Sequence, residues 1–343
     1  MLDDLKYIHQ IDSSGALQIA ADVAKQLRHK FEPLALGSEV HNVVYAAMGG
    51  SALAARLSTS WPKYKVPFEI ITDYHLPAYV GEKTLVIAAS YSGNTEETIS
   101  AFREALDKKA ELVVIASGGK LEELAHQHNV PFIKLPTASQ PRFAALYCFK
   151  ALIDILESVG FVQANEMDKE LELAAQHLEE SIKGWLVDVP TAQNAAKQLA
   201  LELAGTSPVV YSGSVLWPAA YKWKISFNEN AKNVAWANSY PEFCHNEFIG
   251  WASHPVEKPY SIVDLHSSFD NDRIVKRFEI VDRLLSGKRP AAHAVIAEGN
   301  TLLEQLVWTV VFGDFVSLYV GILNGVDPTP VDLVEKLKAE LNN

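Results

Sequence analysis

The chain has 343 residues, 48% of them hydrophobic and 21% charged. That is ordinary globular composition with ample core material, and the length suggests two domains. A net charge of −12 argues against binding nucleic acid or an anionic membrane, so any anionic ligand needs a locally positive site. The two cysteines, Cys148 and Cys244, build no disulfide framework, and no Cys/His cluster points to zinc. The acidic start, Met1-Leu2-Asp3-Asp4-Leu5, has no apolar leader core, and the apolar stretch 302–323 is interrupted by Glu304, Gly313 and Asp314. The expected compartment is the cytoplasm, with 302–323 a buried helix and not a membrane span.

In chain order, residues 15–31 read as an amphipathic helix with Ala20, Ala24 and Leu27 on one side. Apolar strands are expected at 43–47, 68–72, 85–88, 112–116 and 132–135, alternating with helices at 52–58, 95–106, 121–127 and from Pro141 to about residue 156. The second half repeats the grammar. Helices at 191–203, 217–227, 272–285 and 301–323 alternate with strands at 208–211, 261–265 and 292–296, and a final helix runs over 331–341. Strands that are apolar throughout and alternate with helices belong to parallel sheets covered on both faces. A strand, a Gly/Ser turn and a helix occur in both halves, at Ala47-Met48-Gly49-Gly50-Ser51 and at Tyr211-Ser212-Gly213-Ser214. The expected fold class is α/β: two tandem domains, 1–160 and 161–343, each a doubly wound, flavodoxin-like parallel sheet flanked by helices. Charged helical sequence around Asp168-Lys169-Glu170-Leu171-Glu172 joins them.

Two loops of the first half carry hydroxyls at strand C-terminal ends, Gly49-Gly50-Ser51 and Ser90-Tyr91-Ser92-Gly93-Asn94-Thr95. The second opens a helix, whose first N–H groups and dipole suit a phosphate, with Ser90, Ser92 and Thr95 beside them. A plainer reading is that Asn94 or Thr95 caps the helix and Ser-Gly makes the turn. Ligands of open α/β sheets bind at strand C-terminal ends, and Gly49 and Gly50 allow close approach there. Neither loop carries a Walker lysine or a Gly-x-Gly-x-x-Gly pattern, so a nucleotide is not indicated.

Residues 90–98, Ser-Tyr-Ser-Gly-Asn-Thr-Glu-Glu-Thr, resemble the phosphate loop of the sugar-isomerase (SIS) domains. Residues 226–232, Ser-Phe-Asn-Glu-Asn-Ala-Lys, and 241–251, Pro-Glu-Phe-Cys-His-Asn-Glu-Phe-Ile-Gly-Trp, resemble the bifunctional phosphoglucose/phosphomannose isomerases. So do Gln140-Pro141-Arg142 and the tail from Asp327-Pro328-Thr329-Pro330-Val331 to Leu337-Lys338. Ala52 departs from the glycine usual in that family after Gly-Gly-Ser, which bears on sugar preference.

The resemblance implies an aldose–ketose isomerase that interconverts glucose 6-phosphate and mannose 6-phosphate with fructose 6-phosphate through a cis-enediol. It implies no cofactor and no metal, unlike the zinc-dependent mannose-phosphate isomerases, and a place in glycolysis or gluconeogenesis. Phosphate contacts fall to Gly50, Ser51, Ser90, Ser92 and Thr95. Glu229 matches the base that moves the proton between C1 and C2, with Lys222, Lys224 and Lys232 near it in sequence. His245, whose imidazole titrates near neutrality, matches the ring-opening group, contributed across the interface of a homodimer. Lys338 matches the C-terminal lysine near the ring oxygen, with Lys336 as the alternative match. Arg142 matches a group that stabilises the enediolate; a structural salt bridge at a helix end is its other reading. Thr329 is expected near the room in which the enediol turns about C2–C3. Glu96 and Glu97 are expected to point away from a bound phosphate. His9, His29, His41, His75, His126, His128, His254, His266 and His293 share no spacing and read as structural or solvated. Two other readings stay open: a non-catalytic phosphosugar sensor on the same fold, and an isomerase of another phosphosugar.

Overall fold

The computed structural model describes residues 1–34, 39–62, 64–162, 164–253 and 259–341; His254 lies outside them. The chain forms two compact units, Val23–Gln176, and Met1–Asp22 together with His177–Asn343. The helix Ala164–Lys183 contains the crossing point.

The first unit is built on strands β1 (Asn42–Ala46), β2 (Phe68–Ile71), β3 (Thr84–Ala89), β4 (Glu111–Ala116) and β5 (Phe132–Lys134). They form one parallel sheet in the order β2-β1-β3-β4-β5, the flavodoxin-like order. Register explains why these strands are apolar without alternation. Val44 pairs with Val86 and Val86 with Leu112, and this row meets Phe102, Ala105, Leu121 and Leu124 of the helices Glu96–Asp107 and Gly119–His128. The intervening residues Val43, Tyr45, Leu85, Ile87, Val113 and Ile115 are also fully buried, so both faces of the sheet are covered.

The second unit repeats the topology with four strands, β6 (Ser207–Ser212), β7 (Trp236–Ser239), β8 (Tyr260–His266) and β9 (Ala292–Ile296), in the order β7-β6-β8-β9. One face of this sheet meets Ile274, Phe278, Val281 and Leu285 of the helix Asp272–Leu285. The helices Trp217–Asn230 and Leu302–Leu323 pack closely together in the same unit. A Cβ at Gly313 would lie 2.2 Å from the Trp223 indole nitrogen, and one at Gly321 2.7 Å from the Asn230 carbonyl oxygen. Between these helices Lys222, 1% exposed, donates to Asp314 and to Ser226 Oγ at 2.7 Å. Leu302–Leu323 is long and apolar enough to cross a membrane, yet 94% of its most apolar window is buried inside the protein.

Three local departures from the sequence reading have physical causes. Residues 15–31 form two pieces, a helix Ala16–Ala21 and a 3-10 turn Val23–Arg28. The first packs on Leu302–Leu323 and the second on the helix Ala145–Ser158, where Gln26 donates to the Phe143 carbonyl at 2.6 Å and accepts from Tyr147 N at 3.1 Å. Tertiary contacts override a continuous helical pattern here. The helix from Pro141 begins as a 3-10 turn, Pro141–Ala144. Strand β7, Trp-Ala-Asn-Ser, is a partly exposed edge with little apolar signal, which is why pattern reading passes over it.

One core carboxylate makes stability depend on pH. Burial, opposed by Arg289, pushes Asp264 up to about 6 from 3.8. Its carboxyl therefore holds a proton more tightly folded than unfolded. That contribution is complete below about pH 4 and lost as pH rises through about 6, worth about 3 kcal/mol. We predict that Asp264→Asn removes this slope. Urea melts at pH 4 and pH 7 should show wild type losing about 2 kcal/mol relative to the variant; parallel pH dependence would refute it.

Candidate functional site

A doubly wound sheet opens a crevice where strand order reverses. In the first unit that point lies between β1 and β3, and the two hydroxyl-bearing loops are the segments leaving those strands. They meet directly: Tyr91 N donates to Ser51 Oγ at 2.9 Å. The turn before Ser51 needs Gly49, whose φ of +49° lies in the left-handed region. Gly50 allows a third segment to approach, because a Cβ there would lie 3.0 Å from Arg142 N and 3.1 Å from the Pro141 carbonyl carbon. The structure thus gathers Gly50, Ser51, the Ser90–Thr95 loop and the Arg142 backbone at one place. Arg142 is 1% exposed, its guanidinium 4.6 Å from the Phe143 ring centroid.

The Ser90–Thr95 loop is held on its far side by the loop after β4. Gly93 has φ +69°, and a Cβ on it would lie 1.7 Å from the Gly118 carbonyl oxygen. Leu121 N donates to the Gly93 carbonyl at 2.9 Å, and Lys120 N to Asn94 Oδ1 at 2.9 Å. Thr95 occupies the N-cap position of Glu96–Asp107 but makes no side-chain cap. Its hydroxyl is instead 2.8 Å from Ser90 Oγ. Asn94 likewise serves Lys120 and not the helix start. Hydroxyls sit beside a helix N-terminus that neither residue caps, an arrangement suited to an anion. The Glu96 carboxylate accepts from Tyr74 Oη at 3.1 Å, and that bond is the main cause of an upward shift at the exposed Tyr74.

The equivalent point of the second sheet has the opposite chemistry. A Cβ at Gly213, after β6, would lie 2.1 Å from Asp270 Oδ1, after β8. Asp270 also accepts from Ser267 N at 3.0 Å, and burial pushes its carboxyl up. A carboxyl thus lies against this turn, where the first sheet has the Arg142 backbone. Nothing in the Gly213 turn of the sequence foretold this.

The remaining candidates lie in the second unit. Glu229 is half-buried in the last turn of Trp217–Asn230, where Lys232 Nζ donates to its carbonyl at 2.8 Å. Lys232 has φ +52° and also donates to the carbonyls of Asp327 at 2.7 Å and Pro328 at 2.9 Å, fixing that turn against the end of the Glu229 helix. Thr329, 8% exposed, follows in the same turn. Lys222 is committed to Asp314 and Ser226. His245 is exposed at the end of the 3-10 turn Glu242–His245. Lys338 is exposed on the helix Asp332–Leu341 and pairs with Glu335 at 2.7 Å; Lys336 is exposed on the same helix. Among the described residues no group of three or more His, Cys, Asp or Glu is placed to hold a metal ion.

Two parallel sheets with a phosphate-suited switch point define the class, tandem SIS-type α/β domains. A family model for the bacterial phospho-glucose isomerase C-terminal SIS domain matches residues 192–341. A glucose-6-phosphate isomerase like protein of Thermus thermophilus shares the fold, with a TM-score of 0.67, 19% identity and 98% of each chain covered. The bifunctional phosphoglucose/phosphomannose isomerase of Caldicellulosiruptor bescii is 36% identical over 307 residues, 88% of this chain and 90% of that one. Its counterpart in Aquifex aeolicus is 31% identical over 303 residues, 87% and 90% of the two chains. The chain belongs to the bifunctional phosphoglucose/phosphomannose isomerase family, and is an isomerase.

The close approach at Gly93 sets a test. Gly93→Ala should cost about 2 kcal/mol or more through backbone strain and overlap, whereas Gly81→Ala, where a Cβ meets nothing within 4 Å, should stay within about 0.5 kcal/mol. Thermal melts that rank the two variants equally would contradict the packing described.

Proposed function

We propose that the chain interconverts glucose 6-phosphate and mannose 6-phosphate with fructose 6-phosphate by metal-free proton transfer through a cis-enediol. The observation that carries the reading is the junction of the two switch-point loops through Tyr91 N and Ser51 Oγ, beside a helix start that no Thr95 side chain caps. In this reading Gly50, Ser51, Ser90, Ser92 and Thr95 hold the phosphate. The engagement of Glu96 by Tyr74 supports a carboxylate turned from that anion. Glu229 removes the proton from C2 of the aldose and returns it to C1; both epimeric aldoses converge on one enediol, which must turn about C2–C3 for either face to be reprotonated. Arg142, buried and hence weakly screened, offsets the negative charge that develops on the enediolate oxygens. His245 moves the proton between the ring oxygen and the C1 hydroxyl, with Lys338, or Lys336 in its place, beside it. The exposure of His245 on its own protomer supports its service in the site of a partner in a homodimer. A cytoplasmic enzyme of sugar-phosphate metabolism follows from the same reading.

Purified protein given fructose 6-phosphate in the presence of EDTA should form both aldose phosphates, and Glu229→Gln should lower kcat by about 10²- to 10⁴-fold. Absence of turnover in wild type would overturn the activity, full activity in the variant the assigned base, and loss caused by EDTA alone the metal-free route. Subunit sharing has its own readout. Glu229→Gln and His245→Ala homodimers should each fall to a small but measurable residual rate, yet after subunit exchange mixed dimers hold one intact site, restoring about one quarter of wild-type activity. No recovery, with exchange verified by mass, would place His245 in its own protomer's site.

A further inference from the structure

The exposed His245 is held by anchors two residues to either side. On one side Phe243 is fully buried, 4.5 Å from the Tyr211 ring centroid and 5.2 Å from that of Tyr240. On the other side Glu247 reaches the sheet. Tyr211 Oη donates to Glu247 Oε1, and Asn238 Nδ2 donates to Oε2 at 2.7 Å. Tyr211 and Asn238 are register partners on β6 and β7, so their side chains leave the sheet on the same face. Trp251 Nε1 donates to Tyr211 Oη at 3.1 Å, which fixes the direction in which that hydroxyl donates. Burial, and then the facing carboxylate, push Tyr211 well up; it remains a donor throughout the working range of pH. Between the anchors, Asn246 accepts from Glu247 N at 2.6 Å and donates to Glu242 Oε1 at 2.6 Å, closing the turn on itself. His245 is therefore carried on a short clamp fastened at both ends.

We propose that Glu247 is a positioning residue for His245: its carboxylate spans Tyr211 and Asn238 and so fixes where the imidazole stands. The proposal rests on the reading of His245 as the ring-opening group. It gives the carboxylate at position 247 a reason. Two donors on adjacent strands need two acceptor oxygens at one reach, which Glu supplies. Gln supplies one oxygen, to Tyr211, and loses the bond from Asn238, whose own amide oxygen is held by Ser239 N at 2.8 Å. Ala supplies neither.

The test is a double-mutant cycle on the full chain, with fructose 6-phosphate turnover and melting temperature measured for each variant. Glu247→Ala should lower kcat about 10- to 100-fold with KM changed by less than about threefold, since a small misplacement of an acid–base group costs that much. Glu247→Gln should recover to within about fivefold of wild type. In a His245→Ala background Glu247→Ala should slow turnover no further, because its effect passes through the imidazole. If the double variant is instead slower by the full factor of the single one, Glu247 acts by some route other than His245 and the proposal falls. Tyr211→Phe, which removes one of the two bonds and keeps the ring, gives the same comparison should Glu247→Ala not fold. Wild-type turnover in His245→Ala would overturn the role of His245 itself, an outcome separate from failure of the cycle.

Discussion

Gly93 occupies a position that no other side chain could take. Its Cα faces the Gly118 carbonyl so closely that a Cβ would overlap it at 1.7 Å, and its φ of +69° is unfavourable for any L residue. This contact lets the loop after β3 lie flat on the loop after β4. Its carbonyl then receives Leu121 N, and Asn94 is drawn off to Lys120. Only with Asn94 engaged there and Thr95 turned toward Ser90 does the following helix begin without a side-chain cap. The anion-suited character of the switch point thus descends from a steric fact two residues upstream.

The two sheets show how one topology supports different chemistry. Both reverse strand order after their first strand, and both place a Gly/Ser turn there. In the first unit, glycine at position 50 admits the backbone of Arg142; in the second, glycine at 213 admits the carboxylate of Asp270. Topology sets where the turn lies, and the segment that closes over the glycine sets the chemistry beside it. The second sheet instead spends its polar residues on its face. There Asn238, Tyr211 and Asp264 are register neighbours across three strands, and Glu247 ties the first two to the His245 turn.

Much of this was legible in the sequence. Continuous apolar strands alternating with helices gave both parallel sheets, and the helix Asp272–Leu285 and strand Ala292–Ile296 fall where the pattern places them. The hydroxyl loops were legible as strand ends. What stayed hidden were contacts between residues far apart in the chain. Gly50 meets Arg142, and Lys222 meets Asp314 across 92 positions. Sequence proximity had suggested Lys222 as a companion for Glu229, but seven residues along a helix separate them by about 10 Å, too far for a direct pair. Asp270 was silent because a loop aspartate has no periodic context to mark it. The distinction between a capping Thr95 and one turned toward Ser90 depends on a side-chain torsion that no pattern encodes.

The buried pair of Lys222 and Asp314 places a carboxylate inside the most apolar helix of the second unit. The helix Leu302–Leu323, with a mean hydropathy of 1.9 over its most apolar window, is long and apolar enough by composition to cross a membrane. Asp314 stands near its middle. A carboxylate at mid-helix costs about 2.5–3.5 kcal/mol against insertion into a bilayer. The carboxylate that receives Lys222 in the folded protein therefore also makes this segment a poorer match for a bilayer than its mean hydropathy alone suggests.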